Sequence, residues 1–130
     1  MKGGKMKHYL TISGKLDNLN DYTSACRKNR YAGAEMKRKN ENKVIASVLE
    51  QLRRLRIEQP VYMTYNWYEK NKRRDLDNIS SFGRKVIQDA LVETKVLRND
   101  NWQCIVGFQD NFYTDPAHPR IEVIIEEVEK

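Results

Sequence analysis

Val61-Tyr62-Met63-Thr64-Tyr65-Asn66-Trp67-Tyr68 (VYMTYNWY) carries the clearest alternation in the chain. Side chains of an extended backbone point to opposite faces in turn, so Val61, Met63, Tyr65 and Trp67 share one face and Tyr62, Thr64, Asn66 and Tyr68 the other. Aromatic and β-branched residues suit that pleated surface, and the stretch reads as a strand whose rings are core and sheet-face residues. A cationic run follows, Lys70-Asn71-Lys72-Arg73-Arg74, and then two carboxylates in Asp75-Leu76-Asp77-Asn78. Over residues 78–94, Ile79, Phe82, Val86, Ala90 and Leu91 recur at the three- and four-residue spacing of a helix.

Outward from this centre, residues 8–13 (HYLTIS) predict a first strand, and Gly14, Asp17, Asn18, Asn20 and Asp21 mark residues 14–21 as a loop. Ile45, Val48, Leu49, Leu52 and Leu55 predict a helix over 34–56. Its first half is cationic (Lys37, Arg38, Lys39, Lys43) and poor in apolar residues, so it is expected to project beyond the core. Pro60 closes the connection to the central strand. Residues 98–101 form a turn, and strands are expected over 102–108 and 120–128 around a loop with Pro116 and Pro119. The order β-α-β-α-β-β predicts one α+β domain over residues 1–130, an approximately four-stranded mixed sheet packed against two helices.

The net charge of +6 is unevenly spread. Residues 1–60 hold 14 Lys and Arg against 6 Asp and Glu, whereas residues 61–130 hold 10 against 12. A basic half suits an acidic partner, although a soluble protein that is merely basic has the same arithmetic. No apolar run is long enough to span a bilayer and no secretory signal is evident, so a cytoplasmic protein without a membrane partner is expected. Cys26 and Cys104 have no pairing or ligand spacing and read as reduced packing thiols.

Asp75 and Asp77, one residue apart in an extended segment, would point to one side beside four cations. Anionic oxygen ligands next to a phosphate-attracting surface are what metal-assisted phosphodiester cleavage requires. The plainer account makes Asp77 a helix N-cap and Asp75 an ion-pair partner of Arg73 or Arg74. Lys85 and Asp89 lie four residues apart on one helix face, either as a surface ion pair or as a phosphate contact and a metal ligand. Asp100, in Asn99-Asp100-Asn101, is by composition a turn former. Oxygen-only ligands favour Mg²⁺ or Mn²⁺ over zinc, and His8 and His118 lie far from the aspartates in sequence. No Gly-rich phosphate loop is present, and no small-molecule cofactor is expected. Arg27, Lys28, Arg30, Lys37 and Arg38, with Lys70, Lys72, Arg73 and Arg74, are the candidate contacts to a phosphate backbone.

With these residues in place, the chain resembles the RusA family of Holliday-junction resolvases, in its phage or prophage-type branch. The likeness rests on Arg73-Arg74-Asp75-Leu76-Asp77-Asn78, on Lys85-Val86-Ile87-Gln88-Asp89-Ala90-Leu91 and on Asn99-Asp100. It implies a homodimer that binds branched DNA and nicks four-way junctions symmetrically with Mg²⁺, for which Mn²⁺ substitutes. It further implies Asp75, Asp77 and Asp100 as essential acidic residues, Asp89 as the acidic residue within the second helix, and Lys85 as the basic catalytic residue. All four aspartates would then ligate the metal. The chain departs from the enteric-type pattern by extra residues between Asp77 and Lys85 (Ile79 to Arg84), which leaves Arg84 as a rival to Lys85. Asn99 stands where some members have a second Asp. Asn18 and Asn20 occupy a loop that in the family is proline-rich, and those prolines are missing. The alternatives are a non-catalytic basic DNA-binding module and a metal-dependent nuclease acting on other nucleic acids.

Overall fold

The structure is a computed structural model, and it describes residues 6–129. Seven elements follow in order: β1 (Lys7–Ser13), α1 (Leu19–Lys28), α2 (Arg30–Gln51), β2 (Val61–Glu69), α3 (Leu76–Glu93), β3 (Ile105–Thr114) and β4 (Arg120–Glu127). The sheet order is β1-β4-β2-β3, with β2 and β3 parallel and the other pairs antiparallel. The expected α+β class and four-stranded mixed sheet are therefore present. Parallel pairing of β2 and β3 requires a crossover, and α3 provides it. That connection carries the chain from the end of β2 back to the beginning of β3.

The alternation read in β2 is the burial pattern observed: Val61, Met63, Tyr65 and Trp67 are fully buried. They share a core with Leu10 and Ile12 of β1, Val123 and Ile125 of β4, Val44 and Val48 of α2, and Val86, Ile87, Ala90 and Leu91 of α3. Gly83 lets α3 lie against the sheet. A Cβ there would stand 2.7 Å from the Trp67 ring. Tyr62 and Tyr68, on the other face of β2, are half-buried.

Four expectations are corrected. The segment 14–21 is not wholly loop: α1 begins at Leu19, so the described residues form three helices instead of two, with α1 packed against α2 and α3. Asn18 accepts a bond from the Asp21 backbone N–H (2.8 Å), and the Asp21 carboxylate accepts one from the Asn18 N–H (3.2 Å). The Asn and Asp residues that suggested turns thus form a reciprocal helix cap. Asn29 both ends α1 and caps α2, which starts at Arg30 and stops at Gln51, not at 34 and 56. The cationic half of α2 does not project from the core. It lies along α3, where Lys37 pairs with Asp89 (3.0 Å) and Arg38 with Glu93 (2.8 Å). β3 starts later than expected and runs to Thr114, held by its full register with β2.

Candidate functional site

The connection from β2 to α3 is pinned by one side chain. Arg74 donates to both carboxylate oxygens of Glu69 (2.9 and 2.7 Å) and to the Leu16 carbonyl (3.0 Å). The Arg74 and Glu69 side chains are 15% and 12% exposed, which identifies Arg74 as a clamp inside the protein and not a free phosphate contact. Nothing in the sequence singled out Glu69, although an acidic residue closing a strand five positions before an arginine is a usable signal.

Past the clamp, Asp75 is the N-cap of α3, but its side chain makes no capping bond. Asp77 lies in the first helical turn. The two aspartates are thus divided between an extended residue and a helical one, so the shared direction expected of an extended segment does not apply. Both are exposed, and neither carboxylate has a hydrogen bond or ion pair among the described residues. The helix dipole favours negative charge at this end. Lys70, Lys72 and Arg73, on the connection before them, are exposed and likewise form no ion pair among the described residues. Asn71 accepts from the Arg73 N–H (3.0 Å) and holds that turn. Asn71, Lys72, Asp75, Ile79 and Tyr113 help line a cleft of about 620 Å³.

The other half of the expected site is elsewhere. Lys85 bridges Asp89 and Asp100, at 3.2 Å from each, and Lys37 approaches Asp89 from α2. These carboxylates hold the Lys85 ammonium above the ordinary lysine value, with the bond to Asp100 the larger cause. Asp77 and Asp89 are twelve positions apart on one helix, which at about 1.5 Å per residue separates their backbones by about 18 Å. The cleft beside Asp75 touches the end of β3 (Phe112, Tyr113, Thr114), whereas the cleft beside Asp100 touches its beginning (Ile105, Val106, Gly107).

A metal centre formed by Asp75, Asp77, Asp89 and Asp100 together is therefore not assembled within one chain. Among the described residues, no group of three or more His, Cys, Asp or Glu side chains is placed to hold a metal ion. The length of α3 is the physical reason. Mg²⁺ is commonly held by one or two carboxylates, with water and substrate phosphate completing its shell. Lys85, engaged with Asp89 and Asp100, is distant from Asp75 and Asp77. Its rival Arg84 donates to Asp110 (3.0 Å) and stacks over Phe108, while Asp110 also accepts from the Trp67 indole (2.9 Å).

Of the nine expected backbone contacts, Lys37, Arg38 and Arg74 are occupied by carboxylates. Arg27, Lys28, Arg30, Lys70, Lys72 and Arg73 are exposed and free of ion pairs among the described residues. Cys26 and Cys104 are unpaired. No described helix is long and apolar enough to cross a membrane. No protein-family model matches the chain, and no curated protein matches it.

Proposed function

We propose that this protein is a metal-dependent endodeoxyribonuclease of the RusA type, acting as a homodimer on four-way DNA junctions. The observation that carries the proposal is the pair Asp75 and Asp77 at the start of α3, next to Lys70, Lys72 and Arg73, all of them exposed and without an ion pair among the described residues. Charged side chains left without partners on a folded surface are available to a ligand of mixed charge, such as a phosphate with its metal ion.

In this reading Lys70, Lys72 and Arg73 hold backbone phosphates, which fixes the position of the strand without reading its sequence. Asp75 and Asp77 supply oxygen ligands at the scissile phosphate. A divalent cation bound there would stabilise the charge that develops on the phosphoryl oxygens. Arg74, through Glu69 and the Leu16 carbonyl, holds the connection so that Asp75 stays at the cleft. A two-fold dimer would present two such sites to the two equivalent strands of a junction.

One observation favours a second reading, a binding module without catalysis: Asp89 and Asp100 are neutralised by lysines in the same chain. Incubating the protein with an end-labelled four-way junction, in Mg²⁺ and in EDTA, separates the two. Paired nicks that need the metal are expected. Junction binding without nicks in either Mg²⁺ or Mn²⁺ would establish the module, and preferential cutting of RNA or single strands would move the substrate class. Light scattering with and without the junction tests the dimer.

A further inference from the structure

The sheet face turned away from the core carries a row of planar groups that none of the roles above uses. Tyr113 of β3, Tyr68 of β2 and Arg120 of β4 are direct partners across three neighbouring strands. The Tyr113 and Tyr68 rings stack at 4.8 Å with 21° between their planes. The Arg120 guanidinium lies 3.8 Å from the centre of the Tyr68 ring on the other strand. Arg120 is itself held by Glu122 and Asp115, each at 2.8 Å. One end of the row is closed by this fixed cation.

The other end is open. β3 is the edge of the sheet, so no strand lies beyond Tyr113, which is 46% exposed. Tyr113 also lines the cleft that contains Asp75, Asn71 and Lys72. Cross-strand aromatic pairs are common as sheet stabilisers. A terminal ring held in place by its neighbours, exposed, and in one cleft with an unpaired lysine has a second use. It offers a planar surface to a planar ligand that carries negative charge.

We infer that Tyr113 is a stacking site for an unpaired nucleobase, whose adjoining phosphate is met by Lys72. The ordered row lowers the entropy lost on binding, because Tyr113 does not have to be immobilised when the base arrives. Stacking of this kind is indifferent to base identity, since every base has a π-face. The inference deepens the nucleic-acid reading above and rests on it, but it does not require cleavage. It names the chemical class recognised beside the carboxylates: a base taken out of the helix, as at a branch or a single-stranded segment.

The test uses the whole protein and three fluorescent probes: oligothymidylate of twelve nucleotides, the same strand with abasic sites throughout, and a four-way junction. Affinities are read by anisotropy at low salt in EDTA. The protein is expected to bind the thymidylate about tenfold or more tighter than the abasic strand. Tyr113→Ala should erase that difference, Tyr113→Phe should preserve it, and Lys72→Ala should weaken both strands alike. Equal binding of the two strands by the unaltered protein overturns the inference while leaving phosphate recognition intact. An undiminished preference in Tyr113→Ala, with its circular dichroism unchanged, overturns the location. Binding of none of the three probes removes the nucleic-acid reading and this inference with it. The strand comparison uses the unaltered protein, so it can overturn the inference even if Tyr113→Ala does not fold, and Tyr113→Leu, which keeps an apolar side chain on the strand and should also erase the preference, then tests the location.

Discussion

The two ends of α3 hold the same kinds of side chain in opposite electrostatic states. At the N-terminal end, Asp75 and Asp77 stand exposed beside Lys70, Lys72 and Arg73, and none of these forms an ion pair among the described residues. Towards the C-terminal end, Asp89 and Asp100 are bridged by Lys85, Asp89 also meets Lys37, and Glu93 meets Arg38. Carboxylates already matched by ammonium and guanidinium groups hold α2, α3 and the turn before β3 together. Unmatched ones hold nothing together among the described residues. An acidic residue therefore has to be judged by who neutralises it, and a motif containing four aspartates can divide into two structural uses.

The largest effect expected from this contrast is on cleavage. Asp77→Asn should lower junction nicking by about a hundredfold or more, because it removes an anionic ligand of the cation that would stabilise the transition-state charge, while junction binding persists. Lys85→Ala should change nicking far less and chiefly lower the unfolding midpoint. A gel-based cleavage assay paired with urea unfolding decides. Loss of nicking in Lys85→Ala at unchanged stability would break the contrast, because Lys85 would then act at the chemistry.

Next in size is the clamp. Arg74→Ala leaves the largely buried Glu69 carboxylate unpaired, and should cost about 2–3 kcal/mol of stability, between the losses typical of surface and of buried pairs. Equilibrium urea denaturation measures it. A loss of junction affinity in Arg74→Ala with no change in stability would show Arg74 to be a phosphate contact after all.

Salt dependence sharpens the contrast from the cationic side. Removing a residue that neutralises one phosphate reduces the slope of log affinity against log salt by about 1. Lys72→Ala and Arg73→Ala should each do so in anisotropy titrations across salt concentrations. Lys37→Ala, whose ammonium is already matched by Asp89, should leave the slope alone.

The smallest effects are those of pH on the matched end. Arg38 holds the Glu93 carboxyl below its ordinary value of 4.5. A lowered folded-state value gives stability that is present above 4.5 and lost as the pH falls through the folded value. Lys85 is held above 10.5, so its contribution is present below 10.5 and lost only as the pH rises through its folded value. Stability from this end should thus be flat between these limits. Glu93→Gln should flatten the acid arm of a urea-midpoint profile, and Lys85→Met the alkaline arm.

Several of these features were legible beforehand. The β2 alternation named its buried face residue by residue, and the spacing of Ile79, Phe82, Val86, Ala90 and Leu91 named the buried stripe of α3. Both signals are local periodicities, which survive whatever the rest of the chain does. α1 was not legible because an Asn18-to-Asp21 cap and a turn draw on the same residues. The apparent freedom of the α2 cations misled for a different reason: Lys37 and Arg38 meet Asp89 and Glu93, more than fifty positions away.

Taken by itself, the order of residues determined the class of fold, the faces that are buried, and the presence of acidic groups beside basic ones. Periodicity and composition are properties of neighbours along the chain, and they carry that much. Which aspartates are spent on lysines and which remain available was decided only when the helices packed. Coulombic pairing depends on a few ångströms of separation in space, and the 18 residues of α3 put Asp77 and Asp89 at different ends.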